Sequence, residues 1–377
     1  MTAHRQQDED LRERAFGLLL PDTSDRIQPL SMRVVVDRPF GRLVRFERDD
    51  SRPRPRVLVV APISGHRAAL LYDMILALAQ DHDLYLAQWA DASQVALSEG
   101  RFGLDENIGY LVDFLHFLGD DLHLIGLCQS ALPAVAATAI CALRGSGAPR
   151  SMTLFGGKID PRINPTRSDL LARRQSIAWL RQSSIIEVPS PDPGQGRLVY
   201  PASLQIATLL AYLTRHILTG GELFRKFMND DGEYPSERPF PNLFFSVTDL
   251  PAEFFLETIV RVFQRFDLAL GRLAWQGETI RLDAIARTAL FTVEAEEDDI
   301  SGAGQTHVAQ DLCVNIPKSL RQRYVQPGVG HFGLLHGAVW RSAVLPRLRR
   351  FIREQDRGRA PGVPRPPDRS NPSSIIA

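Results

Sequence analysis

The feature that most constrains the fold is an alternation of short apolar runs with amphipathic segments across residues 57–155. The runs VLVVAP, DLYLAQW, LHLIGL and SMTLF are nearly continuous in apolar character, which is typical of strands buried on both faces of a sheet. Segments with apolar side chains at helical spacing lie between them, such as DENIGYLVDFLHFLG and ALPAVAATAICALRG. This alternation predicts an α/β fold with a mostly parallel, doubly wound sheet.

Local signals predict the ends of several elements. The runs SMRVVVD and GRLVRFER indicate a hairpin with its turn at Pro39–Gly41. Asp105 is the expected N-cap of the helix DENIGYLVDFLHFLG, and Gly145 is expected to end the Ala-rich helix. Later in the chain, HVAQDLCVNI is predicted to be helical, QRYVQP to be the last strand and AVWRSAVLPRLRRFIREQ to be the terminal helix.

The alternation stops after residue 156 and resumes with the strand pattern TALFTVE at residues 288–294. The intervening residues contain the Pro-rich stretch VPSPDPGQG and helical patterns such as EFFLETIVRVFQRF. We therefore predict an N-terminal extension (residues 1–28), a core (29–156 and 285–355), an inserted helical lid (157–284) and a disordered Pro- and Arg-rich tail (356–377).

Composition argues against several classes of protein. Lys and Arg total 44, as do Asp and Glu, whereas a nucleic-acid-binding protein normally carries a basic excess. Three cysteines are too few for a disulfide framework, and no uncharged apolar stretch reaches the ~18 residues that a membrane span needs. The sequence contains no CxxC, HExxH or P-loop motif, and no GxGxxG follows the first predicted strand of the core. We expect a cytoplasmic protein with no bound metal or cofactor and no nucleic-acid partner.

The sharpest motif is GLCQS at residues 126–130, between the run LHLIGL and the Ala-rich helix. It has the form of a nucleophile elbow with Cys128 in place of serine, and Gly126 and Ser130 supply the small residues that this tight turn needs. The N-terminus of the following helix favours a thiolate. Cys128 is therefore the candidate nucleophile, with a buried structural cysteine as the alternative. Cys141 and Cys313 lie within helical patterns and are expected to be structural.

A thiol nucleophile needs a base and an acidic residue that orients the base. In a sheet of this order the acid follows the strand after the insertion, and the histidine follows the last strand. The loop AEEDDIS offers Asp298 and Asp299, and GVGHFG offers His331. Spacing does not choose between the two aspartates, and solvated turns or a hydrogen-bonded loop histidine are the structural alternatives.

An oxyanion hole is the third requirement for acyl transfer. The backbone N–H of Gln129 is one expected donor. The loop PISGHR offers the second from Ile63 or Ser64, because Pro62 has no N–H. Ser64 and His66 could instead be interpreted as a catalytic pair, although both lie in this loop on the expected oxyanion side.

Taken together, the sequence resembles the intracellular polyhydroxyalkanoate (polyhydroxybutyrate) depolymerases over roughly residues 30–355. The blocks that carry the resemblance are RPFGRLVRFER, VLVVAPISGHRAALL, WADASQVALSEGRFGLDENIGYL, GLCQSALP, RSMTLFGGKIDPRINPT, TVEAEEDDISGAGQT and VQPGVGHFG. The resemblance implies an α/β-hydrolase fold and a triad of Cys128, His331 and Asp298, and so selects the first aspartate. The chain departs from the family at Ser130 and Lys158, where relatives have proline.

The resemblance also implies a reaction: cleavage of poly(3-hydroxybutyrate) or a related polyester through an acyl-thioester on Cys128. The expected partner is the polymer at a storage granule surface or a soluble 3-hydroxyalkanoate oligomer, with coenzyme A as an alternative acyl acceptor to water. The apolar side chains expected either to line a channel under the lid or to pack within it are Leu209, Leu210, Phe254, Phe255 and Phe263. A polyester synthase or short-chain acyl transferase with the same triad, and a catalytically weak granule-associated protein, remain alternatives.

Overall fold

An eight-stranded sheet forms the centre of the molecule. The computed structural model describes residues 19–21, 27–48, 54–64, 71–208, 211 and 247–357. The strands are β1 (Ser31–Arg38), β2 (Gly41–Glu47), β3 (Arg56–Val60), β4 (Asp83–Trp89), β5 (Leu122–Leu127), β6 (Ser151–Phe155), β7 (Ala289–Ala295) and β8 (Arg321–Gln326). Their order is β8-β7-β6-β5-β3-β4-β2-β1, and only the pairs made by β2 are antiparallel within this sheet. The predicted mostly parallel α/β sheet is confirmed.

The helices either cover the faces of this sheet or belong to the segment between β6 and β7. They are α1 (Tyr72–Ala79), α2 (Leu104–Leu118), α3 (Ala131–Arg144), α4 (Arg167–Arg174), α5 (Ile177–Ser184), α6 (Ala252–Thr258), α7 (Ala309–Leu312) and α8 (Leu345–Arg357). Residues 202–208 are also helical. A π-helical segment, Ile259–Gln264, continues α6, and the helical segments Gly337–Val339 and Trp340–Val344 lead into α8.

Two apolar layers bury the two faces of the sheet, because successive side chains on a strand point to opposite faces. On β3, Leu58 and Val60 pack in the layer that contains α2 and α3. Val57 and Val59 pack in the layer that contains α1 and α8. The central strands are apolar along their whole length because both of their faces are covered.

Most predicted element ends agree with the structure. The hairpin of β1 and β2 turns between Arg38 and Gly41, and α3 ends at Gly145, whose φ of 69° is left-handed. The prediction of Asp105 as N-cap was wrong, since α2 begins at Leu104 after Gly103. Two other carboxylates bind N–H groups at this helix end: Glu106 in the first turn accepts from Gly103 at 2.6 Å, and Glu257 in the insertion accepts from Leu104 at 2.9 Å.

The helix predicted over HVAQDLCVNI is shorter than expected and spans only Ala309–Leu312. Arg321 on β8 donates to the carbonyl groups of Gln310 and Cys313 at 2.6 and 3.0 Å. A guanidinium group thus binds carbonyls that a longer helix would use internally, so the chain turns away after one turn.

The described residues between β6 and β7 add no strand to the eight-stranded sheet. They form α4, α5, α6 and a separate three-stranded sheet of Ile186–Glu187, Leu198–Tyr200 and Leu250–Pro251. Leu209 and Leu210 lie outside the described residues, as do 1–18 of the predicted extension and 358–377 of the predicted tail. The division into core, lid, extension and tail stays a prediction.

The aromatic side chains of the insertion take part in packing. Phe254 is buried in the layer with α2 and α3, and the ring of Phe255 stacks on Tyr200 at 4.1 Å between centroids. Phe263 is partly buried against the cluster between α5 and α6, with the Lys158 ammonium 5.3 Å from its ring centre. The contacts of Phe255 and Phe263 match the alternative in which aromatic side chains pack within the insertion, whereas Phe254 packs against the core.

Polar contacts fasten α6 and the residues after it to the N-terminus of α2. Besides the bond from Leu104 to Glu257, Arg261 forms an ion pair with Asp105 at 2.6 Å. The indole N–H of Trp275 donates to the Asp105 carbonyl at 2.9 Å. Since α2 packs directly on the sheet, this part of the insertion is fixed to the core.

A buried histidine on β5 makes the stability of this fold sensitive to acid. His123 is 1% exposed, and its Nδ1 lies 2.8 Å from Ser151 Oγ on the neighbouring β6. Burial, together with the nearby charges of His82 and Arg150, lowers the pKa of His123 to about 4. The unfolded chain, with a histidine pKa near 6.5, therefore binds a proton that the folded chain resists.

We predict that His123 contributes to a loss of stability as pH falls from 6.5 to about 4, where its contribution levels off. A pKa difference of this size corresponds to about 3 kcal/mol. Urea unfolding at a series of pH values should show a shallower acid decline for His123→Asn than for the parent chain. His116→Asn, at an exposed position on α2, is the matched control. Equal slopes for the parent and His123→Asn would contradict the prediction.

Candidate active site

Cys128 lies in a sharp turn between β5 and α3. Its φ is 50°, in the left-handed region that is costly for residues other than glycine. The 3₁₀ turn Cys128–Ser130 follows β5 directly, and α3 begins at Ala131. The side chain is thereby carried to the carboxyl end of the sheet, beside a helix N-terminus, as the predicted nucleophile elbow requires.

Close packing around the turn depends on two glycines. A Cβ atom at Gly126 would lie 3.0 Å from Ala134 Cβ, and one at Gly157 would lie 2.2 Å from Ala131 Cβ. Both distances are shorter than ordinary carbon contacts, so α3 could not pack in this position against bulkier residues. The sequence analysis predicted the first of these requirements and missed the second.

Ser130 does more than supply a small residue. Its buried hydroxyl accepts the Leu127 N–H at 2.8 Å and lies 2.7 Å from the Val60 carbonyl oxygen, to which it donates. This one side chain therefore joins the turn to the end of β3. A residue without a hydroxyl at this position would lose both of these hydrogen bonds.

His331 and Asp298 form a buried pair at the same end of the sheet. Nδ1 of His331 donates to Asp298 Oδ2 at 2.7 Å, and both side chains are almost completely buried. The other carboxylate oxygen, Oδ1, accepts the N–H groups of Ile300 and Ser301 at 2.9 and 2.7 Å. The carboxylate is therefore held from both sides, and of the two aspartates in this loop it is Asp298 that contacts the imidazole.

Cys128 completes the arrangement, because its side chain lies close enough to His331 for each group to shift the pKa of the other. Since Asp298 binds Nδ1, Nε2 is the nitrogen of His331 that remains available to the thiol. The structure thus brings together the three side chains that the sequence predicted, from loops that follow β5, β7 and β8. Their catalytic roles are a proposal, developed below.

Burial and charge act in opposite directions on the two titrating groups. Burial raises the pKa of the Cys128 thiol, but the charge of His331 and its hydrogen bond lower the pKa below its ordinary value. Burial likewise lowers the pKa of His331, but the charges of Asp298 and Cys128 raise it well above the usual range. The net result favours a thiolate beside an imidazolium.

Gly156 provides the space that His331 occupies. Its φ is 51°, and a Cβ atom there would lie 2.9 Å from Cε1 of the imidazole. Sequence reasoning did not single out this residue, although the pair Gly156–Gly157 directly after a predicted strand was an available signal. Glycines at a strand end often mark a close approach of another group.

A second carboxylate, missed by the sequence analysis, holds the loop that carries Asp298. Glu294 on β7 is buried and accepts the N–H groups of Gly304, Thr306 and His307 at 2.7 to 2.8 Å. Three backbone N–H groups on one side chain hold this part of the loop in a single conformation. The chain beyond Asp298 is thereby fixed to the strand before it.

Asp169 on α4 links the loops after β6 and β7. It is fully buried, forms an ion pair with Lys158, and accepts hydrogen bonds from Thr166 N–H and Gln305 Nε2, both at 2.8 Å. Lys158 directly follows Gly157, and Gln305 lies in the loop held by Glu294. Lys158 is therefore part of the network that joins these two loops.

The predicted oxyanion loop lies beside the Cys128 turn. Ser64 N–H donates to Oε1 of the Gln129 side chain at 3.0 Å, and the Ile63 side chain is buried in the core. This contact joins the loop to Gln129, and the assignment of oxyanion donors among Gln129, Ile63 and Ser64 stays a prediction. The alternative catalytic pair was Ser64 and His66, and His66 lies outside the described residues.

The three cysteines differ sharply in their surroundings. Cys128 is partly exposed, whereas Cys141 and Cys313 are buried, and burial raises the pKa of each of the latter two to about 12. Since the thiolate is the reactive form, only Cys128 combines access with a lowered pKa.

We predict that iodoacetamide at pH 7 alkylates Cys128 in the folded protein, and Cys141 and Cys313 only after unfolding. The alkylation rate of Cys128 should follow a pH profile displaced to lower pH than that of a free cysteine, because its pKa is lowered. His331→Ala removes the imidazolium charge and should shift the profile to higher pH. Peptide mass mapping after timed labelling measures the alkylation rate of each cysteine at each pH, and His116→Ala is the control. Equal profiles for the parent and His331→Ala would contradict the prediction.

Two negative findings concern the described residues. Within the ranges given above, no cluster of three or more His, Cys, Asp or Glu side chains is arranged to hold a metal ion. Among the helices in those same ranges, none has the length and apolar character needed to cross a bilayer.

Solved structures share this architecture at low sequence identity. The α/β hydrolase GrgF from Penicillium sp. sh18 is 13% identical with a TM-score of 0.52, over 87% of this chain and 99% of that one. Naproxen esterase from Bacillus subtilis is 13% identical with a TM-score of 0.46, over 92% and 96%. A thermophilic esterase from Thermogutta terrifontis is 13% identical with a TM-score of 0.46, over 90% and 98%. The similarity to GrgF shows that the chain has the α/β-hydrolase fold.

Sequence comparison identifies the family. No curated protein matches the chain. Residues 156–356, more than half of the sequence, match the family model described as the PHB de-polymerase C-terminus. This match begins at Gly156 and includes both Asp298 and His331. The chain therefore belongs to the PHB depolymerase family, on an α/β-hydrolase fold.

Proposed function

We propose that the protein is a carboxylic ester hydrolase that cleaves poly(3-hydroxybutyrate) or a related polyhydroxyalkanoate through Cys128. The observation that carries this proposal is the series Cys128, His331 and Asp298 at the carboxyl end of the sheet, in which Asp298 binds the imidazole and the imidazole acts on the thiol. A nucleophile bonded to a base, which is in turn oriented by a carboxylate, is the arrangement that acyl transfer requires. Family membership supports the polyester substrate.

In the acylation step, Cys128 Sγ attacks an ester carbonyl carbon. The thiol proton is held by His331 Nε2, while Asp298 stabilises the resulting imidazolium. The tetrahedral oxyanion accepts hydrogen bonds from backbone N–H groups at the Cys128 turn and the neighbouring loop. The C–O bond then breaks, His331 gives its proton to the leaving hydroxyl end of the polymer, and an acyl-thioester remains on Cys128.

In the deacylation step, water attacks the thioester carbonyl. His331 accepts a proton from this water, a second tetrahedral oxyanion forms, and the C–S bond breaks. The proton returns to Sγ, and a 3-hydroxyalkanoate chain end is released as the carboxylic acid. Coenzyme A in place of water would give an acyl-CoA by the same sequence of bond changes, so it enters the proposal as an alternative acceptor and not as a bound cofactor.

A neutral polyester fits the charge of this chain. Its equal numbers of acidic and basic residues create no net field that would steer a charged substrate. A polyester likewise has no charge to steer, so recognition would depend on contacts at the site. The proposed setting is the cytoplasm, at the surface of a storage granule.

We predict that Cys128→Ala and His331→Ala each lower the release of acid from amorphous poly(3-hydroxybutyrate) granules by at least about 1,000-fold. Each variant removes a group that makes or breaks a bond in the first step. Titration of released acid measures turnover, and mass analysis of products with and without coenzyme A separates hydrolysis from acyl transfer. Cys141→Ala and His116→Ala are matched controls.

Full activity in Cys128→Ala or His331→Ala would overturn the proposed mechanism. Polymer formation from an acyl-CoA, with no release of acid, would favour the polyester synthase or acyl transferase alternative. Binding of the protein to granules without turnover would favour a granule-associated protein of weak activity.

A further inference from the structure

The Gln129 side chain connects the two halves of the expected oxyanion hole. Gln129 directly follows Cys128, and its own backbone N–H is the donor expected from the turn. Its side-chain Oε1 accepts the N–H of Ser64 at 3.0 Å, across 65 residues of sequence. One residue therefore contributes a backbone donor and holds the neighbouring loop at the same time.

The start of this loop is also fixed. The Ala61 N–H donates to the Ala87 carbonyl at 3.3 Å, and the Ala61 carbonyl accepts the indole N–H of Trp89 at 2.8 Å. The loop is therefore held at Ala61 by β4 and at Ser64 by Gln129.

These contacts narrow the choice of the second oxyanion donor. Ala61 N–H bonds to β4, Pro62 has no N–H, and Ser64 N–H bonds to Gln129. Ile63 N–H is the remaining donor between the two fixed points. Its side chain is 4% exposed and packs in the core, which further limits rotation of this peptide.

We propose that the Gln129 side chain is a positioning residue that holds the Pro62–Ser64 loop through the Ser64 N–H, so that Ile63 N–H and Gln129 N–H together bind the oxyanion. This inference rests on the proposed function, because it assigns donors to the ester carbonyl that Cys128 attacks. Oxyanion donors act by being aimed before the charge develops, and removal of one can cost on the order of 100- to 1,000-fold in rate. A variant that only loosens the loop should lower the acylation rate by less than a variant that removes a donor.

Two reactions of the same sulfur separate this role from a general effect on the site. Acylation of Cys128 by p-nitrophenyl butyrate passes through an oxyanion and releases p-nitrophenolate. Alkylation of Cys128 by iodoacetamide is a displacement at a saturated carbon and forms no oxyanion. A loss of thiolate or a distortion of the turn would slow both reactions, whereas a misplaced oxyanion donor slows only the first.

The test compares the parent chain with Gln129→Met, which has a similar length and no carbonyl acceptor. We expect acylation to be at least about 10-fold slower and alkylation to change by less than twofold. Gln129→Asn keeps the amide but is too short to reach Ser64, so we expect the same slower acylation and unchanged alkylation. This second variant shows that the effect does not come from the methionine side chain. Gln195→Met, at an exposed position in the insertion, is the matched control.

Each outcome has a distinct meaning. Acylation at the parent rate or faster in both Gln129→Met and Gln129→Asn would overturn the inference, and a faster rate would assign Ser64 N–H as the donor that Gln129 covers. Equal slowing of acylation and alkylation would also overturn it. If Cys128→Ala releases p-nitrophenolate as fast as the parent chain, the proposed function itself fails instead.

Discussion

The left-handed turn at Cys128 is the constraint on which the rest of the site depends. A φ of 50° at a residue with a side chain is unfavourable by itself and persists only where its surroundings enforce it. Here Ser130 ties the turn to β3 through a buried hydroxyl, and Gly126 and Gly157 allow α3 to pack without a clash. The packing around the turn thus presents the thiol at the end of the sheet.

The second requirement is that buried charges be paired. Burial alone would keep the Cys128 thiol and the His331 imidazole neutral, and this would give a weak nucleophile. Asp298, held by two backbone N–H groups, offsets that effect for His331, and His331 offsets it for Cys128. The three residues follow strands β7, β8 and β5, and they meet because loops at the carboxyl ends of parallel strands lie at one edge of the sheet.

Side chains of the insertion bind the loops that follow β6 and β7 and the N-terminus of α2. Asp169 joins the loop that carries Lys158 to the loop that carries Gln305, and Glu294 fastens the latter loop to β7. On the other side, Glu257 binds the N-terminus of α2. The bonds from Gln305 to Asp169 and from Leu104 to Glu257 span 136 and 153 residues, so tertiary contacts help to hold these segments.

The sequence by itself determined the sheet, the Cys128 turn and the identities of Cys128 and His331. Continuous apolar runs, small residues around a cysteine and the chain order of strands are local signals, and β5 spans the predicted residues Leu122–Leu127. Spacing did not choose between Asp298 and Asp299, which the family resemblance did, and the contact with His331 agrees. Only the tertiary structure decided the cap of α2 and the bonding of Ser64 N–H, because Glu257 and Gln129 reach these groups across 153 and 65 residues. Periodicity and propensity report on near neighbours in the chain, whereas such acceptors are defined only once distant segments pack together.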